Sequence, residues 1–541
     1  MSLLLLALLV GCDGTAPAID SAPSSGPFVP LDDARLLRRL SLDLRGRLPS
    51  LDELDAVAAD PAALDSLRDD FLDDPAFEER LVALFSEHLR TRIDDFQVEY
   101  YDYALAETSE CVYEREVGQE APRLLARIVV DDLPWSTAVT ADWTMATEAL
   151  AAIWPLERLA RDALWEPARY TDGRPPGGVL STNGLWWRYV TSRSNANRSR
   201  VAALSELLLC QPLLSRPVSF ATSPSLVDED GTAEALRSDP QCLACHASIE
   251  PLAAAFFGWV PSIDYNPLEL GYYHPERESQ GPETLGVDAA YYGVPLAGFQ
   301  DVGPRVAADS RFYRCAAETA AKLLWRRPIA LDDFDQVEDL RRDFVAGDTR
   351  FGALLAAVTD TPEYRAADVA DDAETDLADR ARPTRMLSPD QLATALDDLA
   401  GFSWTLDSCD QLDNDDQGYR VLAGGVDGHS VTRPQQDPGL TWALVVERAA
   451  QGAAGHAVQT ELVEGQPGPL FRHVTLDDLP GEPAWERELS ELHWRLFAQV
   501  TDERLDADRA LWQAVADDHG AAMAWIALVT TLLRDPYFVS T

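Results

Sequence analysis

Apolar residues recur every three or four positions over most of this chain, and that period predicts helices. Leu37, Leu40 and Leu44 fall at i, i+3 and i+7 within residues 36–46, and Phe77, Leu81, Leu84 and His88 share one face of a second segment. His88 thereby reads as a core or boundary histidine. Val201, Leu204 and Leu208 lead a further helix down to Cys210. Residues 73–77, 360–364 and 534–538 each place an Asp or Thr at a helix N-cap, a proline at the first helical position and an aromatic shortly after it. Residues 36–46 (LLRRLSLDLRG) and 392–401 (LATALDDLAG) also look alike, so the pattern reads as a loosely repeated helical unit.

The punctuation between periodic stretches divides the chain. Leu3 to Val10 is an apolar run too short to span a bilayer as a mature helix but of the length of a secretion signal's core. It ends Leu9-Val10-Gly11-Cys12, which resembles a lipoprotein cleavage box, although no Lys or Arg precedes it. The expectation is removal of residues 1–11 and lipidation of Cys12, with two or more acyl chains giving a stable membrane anchor. A Pro/Ser/Gly-rich tether follows over 12–30, then an N-terminal helical domain (31–170), a middle domain (171–365), an acidic linker (366–385) and a C-terminal helical domain (386–541). The expected class is mainly α and multi-domain.

With 541 residues, 46% hydrophobic content and 14 tryptophans, the chain is long enough to bury sizeable cores. Six tryptophans lie between Trp135 and Trp187 and read as core packing rather than as a sugar-stacking platform. The formal charge of −46 opposes binding to nucleic acid phosphates and reads as a solvated acidic exterior, with steering of a basic redox partner as the functional alternative. Nucleotide-binding glycine loops, a serine-nucleophile elbow and the HExxH zinc motif are all missing from the sequence. Residues 413–418 hold part of a calcium loop, but Gly424 stands where the bidentate glutamate belongs, so the stretch reads as an ordinary polar loop.

One stretch carries explicit chemistry. Cys242-Leu243-Ala244-Cys245-His246 spells CxxCH, in which two thiols one helical turn apart form thioethers with a haem's vinyl groups and the adjacent imidazole ligates the iron. The cofactor implied is one covalently attached haem c, giving the middle domain a cytochrome c-like character. Downstream, the first histidine is His274 and no methionine occurs before Met386, which makes His274 the candidate sixth ligand, with Met145, Met386 or Met523 as alternatives from other segments. Arg188, Arg193, Arg198 and Arg200 form a basic cluster in an acidic chain, with Arg198 and Arg200 as candidates to pair haem propionates and local Asp or Glu as the competing partners. Of 7 cysteines, four remain after lipid and haem. Cys210 and Cys315 bracket the motif and form the preferred pair, with Cys111 and Cys409 paired by elimination.

The order of features from residue 178 onward carries a resemblance. GVLSTNGLWW, an arginine-rich turn, LLLC ending at Cys210, CLACH followed by Ile249-Glu250-Pro251-Leu252, Arg311 to Cys315, and Arg326-Arg327-Pro328 follow one another. Together with the Arg39 to Leu44 run and Leu387-Ser388-Pro389, this resembles the planctomycete-type and myxobacterial cytochrome c-related lipoproteins. In that group Asp-Pro-Leu-Gly is usual after the haem motif; Glu250 and Ala253 stand here instead. The resemblance implies c-type haem and a place in the bacterial cell envelope, anchored by lipid, and implies no catalysed reaction. The readings are thus an electron carrier or redox protein, a peroxidase-like haem enzyme, or a binding lipoprotein in which Cys242 and Cys245 form a disulfide.

Overall fold

The computed structural model describes residues 28–92, 110–215, 231, 235–236, 238–260, 271–370, 385–406, 409–413 and 418–541, with side chains described from 114 onward in the helix that begins at 110. Cys12, the Cys111 side chain, residues 414–417 and most of the tether and acidic linker lie outside these residues. The described chain is mainly helical.

The longer helices begin with α1 (Asp33–Arg45), α2 (Leu51–Ala59), α3 (Ala63–Leu72), α4 (Pro75–Leu89) and α5 (Glu110–Val130). Asp74 caps α4 through its carboxylate on the Ala76 amide, with Pro75 in the first position, as the junction pattern predicts. Leu37, Leu40 and Leu44 are buried against this layer. Arg38 and Arg39 on α1 are buried as well, and the reason is their carbonyl partners. Arg38 donates to the Leu496, Ser540 and Phe538 carbonyls at 3.0, 2.7 and 2.6 Å. Arg39 donates to Tyr364 and Ala366 at 2.6 and 2.9 Å. The first helix therefore fastens the two later parts of the chain together.

Residues 144–170 depart from the helical expectation. Strands β2 (Thr144–Ala146), β3 (Leu156–Arg158) and β4 (Glu166–Tyr170) form an antiparallel sheet in the order β2-β4-β3, over a small core holding Trp154 and Trp187. Strands of three to five residues carry too little alternation to register as a period of two. The tether and linker are also ordered where they meet: β1 (Phe28–Pro30) pairs antiparallel with β5 (Ala366–Val369).

Next come α6 (Arg198–Leu209), α7 (Pro240–Ala254), α8 (Ser310–Trp325), α9 (Phe334–Ala346) and α10 (Phe351–Thr359), which share one apolar core with α1 to α5. Trp135 lies in it, stacked on Phe351 at 4.3 Å; Trp154, Trp186 and Trp187 are buried and Trp143 and Trp165 partly so. A disulfide between Cys210 and Cys315 ties the end of α6 to α8. Cys409 is also disulfide-bonded.

A second core is built by α11 (Pro389–Ala400), α12 (Leu440–Ala457), α13 (Pro483–Phe497), α14 (Asp502–His519) and α15 (Ala521–Leu533), joined by Leu42 and Leu48. Ser388 and Gln391 form a capping box at the start of α11, and Gly401 ends it at φ 60°, the counterpart of Gly46 at φ 72° after α1. The third proline junction differs from expectation. Residues 534–538 make a turn, not a helix start, because the segment after them pairs with residues 385–387, Leu387 N–H meeting the Val539 carbonyl at 2.9 Å.

Candidate functional site

The CxxCH residues occupy the first half of α7. Asp239 caps it, its carboxylate accepting from the Gln241 amide at 2.8 Å, and Pro240 opens it. The second half of the helix is apolar, with Ile249, Leu252, Ala253 and Ala254 buried in the first core. Anchoring by that half leaves the first half at the surface, where Cys242, Cys245 and His246 are half-buried. Both cysteines are free thiols. Burial, followed by the Asp239 carboxylate, raises the Cys242 thiol above its ordinary pKa and keeps it protonated.

His246 is held from one side. Its Nδ1 lies 2.6 Å from Glu250 Oε1, one helical turn on, and Nε2 has no hydrogen-bond partner among the described residues. Glu250 is itself buried and gripped by Arg198, whose Nε and one terminal nitrogen donate to its two oxygens at 2.6 and 2.9 Å. Burial alone would raise the Glu250 pKa; the hydrogen bonds from His246 and Arg198, and their charges, outweigh it and hold the carboxyl below its usual value. An ionised Glu250 accepts the hydrogen bond that Nδ1–H donates, which orients the ring and leaves Nε2 on its far side. The donor set therefore fits a c-type haem: two free thiols one turn apart and, directly after them, an imidazole whose metal-binding nitrogen is open.

The arginines expected to pair propionates have protein partners. Arg198 is occupied by Glu250 and by the Ser194 and Asn195 carbonyls. Arg200 is fully buried and donates to the Tyr189 carbonyl at 3.0 Å, the Trp259 carbonyl at 3.1 Å and Asn197 Oδ1 at 3.2 Å. Both guanidinium groups are engaged within the protein and hold α6, α7 and the turn after α7 together.

His274 stands beyond the C-terminal end of α7. Its amide donates to the Gly258 carbonyl at 2.8 Å, its Nδ1 faces Glu276 at 3.2 Å, and its Nε2 is buried with no partner among the described residues. Helix geometry puts a rise of about 12 Å between His246 and the last residue of α7. Met145 is buried in the small sheet, Met386 bridges Ser540, and Met523 is exposed on α15. His246 is thus the imidazole that the described residues supply beside the two thiols. The part of the site that sequence reading missed is the Glu250 contact, although an i, i+4 His-Glu pair on a helix is a signal that would have found it.

Residues 24–113 match the family described as PSCyt2: Protein of unknown function (DUF1549), a planctomycete cytochrome-c-associated domain. The matched stretch contains α1 to α4, including the Arg39 to Leu44 run, and ends before the CxxCH residues. No curated protein and no solved structure matches the chain.

Proposed function

We propose that this chain is an exported, lipid-anchored c-type haem protein that carries electrons. The observation that supports it most is the state of α7: Cys242 and Cys245 are free and near the surface, and His246 has Nδ1 engaged and Nε2 open. Cys242 and Cys245 would hold the haem through thioethers, and His246 would ligate its iron. When bound, that group supplies one-electron redox chemistry. The chain's own part is to attach it on a helix whose far half is locked into the core, and to orient the imidazole through Glu250 and Arg198. The apolar run before Cys12 supports export and anchoring; no helix among the described residues is long and apolar enough to cross a membrane. The −46 charge suits a basic redox partner and disfavours nucleic acid.

A second reading, a haem enzyme of peroxidase type, gains support from Glu250. A carboxylate on Nδ1 raises the basicity of a ligating imidazole more than a neutral acceptor does. Protein purified from a host that matures c-type cytochromes separates these. A Soret band that cyanide and peroxide leave unchanged supports the carrier, ligand-induced change supports the enzyme, and a colourless protein removes both.

A further inference from the structure

Where α4 and α5 face α11, the protein has an open cavity of about 450 Å³, within the size range of small-molecule sites. It lies away from the CxxCH helix, between the segment that matches the family model and the C-terminal bundle. Its wall includes Arg80 on α4, which is 4% exposed.

Three other buried arginines show what a carbonyl-bound guanidinium looks like here. Arg38 donates to three carbonyls, and so does Arg200. Arg420 donates to the carbonyls of Val426, Asp413 and Arg92. Among the described residues Arg80 has one long bond, Nε to the Asp43 carbonyl at 3.3 Å, and no carboxylate within ion-pair distance; its terminal nitrogen NH1 is buried with no partner, and the charges that act on it from further off are Arg326, which opposes it, and Asp43, Glu87 and Asp390. A buried cation that no counter-ion touches is costly, and a guanidinium fork is shaped for a carboxylate or phosphate.

The cavity's acids do not answer that need. Glu79 is taken by Arg123 at 2.5 Å, Asp390 by Arg92 at 2.6 Å, and Asp413 by Arg92 and by Arg115 at 2.5 Å. Burial raises Glu116 and Asp410 towards their neutral forms, and Asp397 accepts from Ser403. Leu164, 68% exposed, and the half-buried Trp165 give the cavity an apolar lip suited to the body of an organic molecule.

We propose that this cavity binds a small organic acid, whose carboxylate or phosphate group takes Arg80 as its counter-ion, and that the ligand braces α4 and α5 against α11. The site is independent of the haem reading, since none of its residues belongs to α7.

The test is thermal unfolding and calorimetric titration of the full chain at constant ionic strength, with inorganic phosphate and with sodium acetate as probes against a chloride control. Phosphate or acetate should raise the melting temperature of the wild type where chloride does not, and the probe that acts identifies the oxyanion. Arg80→Met should weaken that binding roughly ten- to a hundred-fold, the loss of one charge-assisted contact, and without probe should melt no lower than wild type. Ala83→Phe, which narrows the cavity and keeps Arg80, should also remove the response and covers the case in which Arg80→Met does not fold. A response that tracks ionic strength alone, or one retained in Arg80→Met or Ala83→Phe, would overturn the site.

Discussion

Replacing Glu250 by glutamine keeps the shape of the helix face and removes its charge. The wild-type carboxylate accepts from His246 Nδ1 at 2.6 Å and from two Arg198 nitrogens at 2.6 and 2.9 Å. Exposed ion pairs contribute at most about 1 kcal/mol, and breaking a buried pair costs about 3–5 kcal/mol. Side-chain exposures of 25% for Arg198 and 11% for Glu250 lie between those limits, so Glu250→Gln should lose about 2 kcal/mol. The pH dependence has a definite sign. Glu250's folded pKa is below its unfolded one, so its contribution is present above roughly pH 4.5 and is lost as the pH falls through the folded value. Urea unfolding at pH 7 and at pH 3 checks this: the difference between wild type and variant should be present at pH 7 and shrink at pH 3. A loss below about 0.5 kcal/mol at pH 7, or an equal loss at both, would refute a strong carboxylate at this position.

Reducing the Cys210–Cys315 disulfide should cost about 4–5 kcal/mol by the loop-entropy relation, because it closes a separation of 105 residues; comparison of denaturant midpoints with and without reductant measures it. His88, whose pKa is pushed down to about 4 chiefly by burial, should make folding pH-dependent. The unfolded chain binds a proton below about pH 6.5 that the folded chain refuses until about pH 4, so roughly 3 kcal/mol is lost across that window, and His88→Gln should flatten the profile there. Arg200→Met, which leaves three carbonyls and Asn197 unpaired, should destabilise by about 3 kcal/mol or more in a thermal melt.

The helical class and several helix ends were legible because their causes are local: the spacing of Leu37, Leu40 and Leu44, the Asp74-Pro75 start, the Ser388 box and the glycines at 46 and 401. The Cys210–Cys315 pair was legible from its position around the CxxCH stretch. What escaped was non-local. Arg198 meets Glu250 across 52 residues, and a guanidinium near the CxxCH stretch suits a propionate or a glutamate equally well by chemistry alone. The turn at 534–538 follows from strand-like pairing with residues 385–387, which no local signal announces. The Arg80 cavity draws its walls from residues as distant as Arg45 and Asp413, so only the fold assembles it.

The central claim is covalent haem on α7, and denaturing gel electrophoresis with a haem stain, paired with intact mass, tests it most directly. Wild type made in a host that matures c-type cytochromes should stain and carry the added mass of one haem, and Cys242→Ala with Cys245→Ala should do neither. A wild type without stain or added mass, or a double variant that keeps both, would contradict the account.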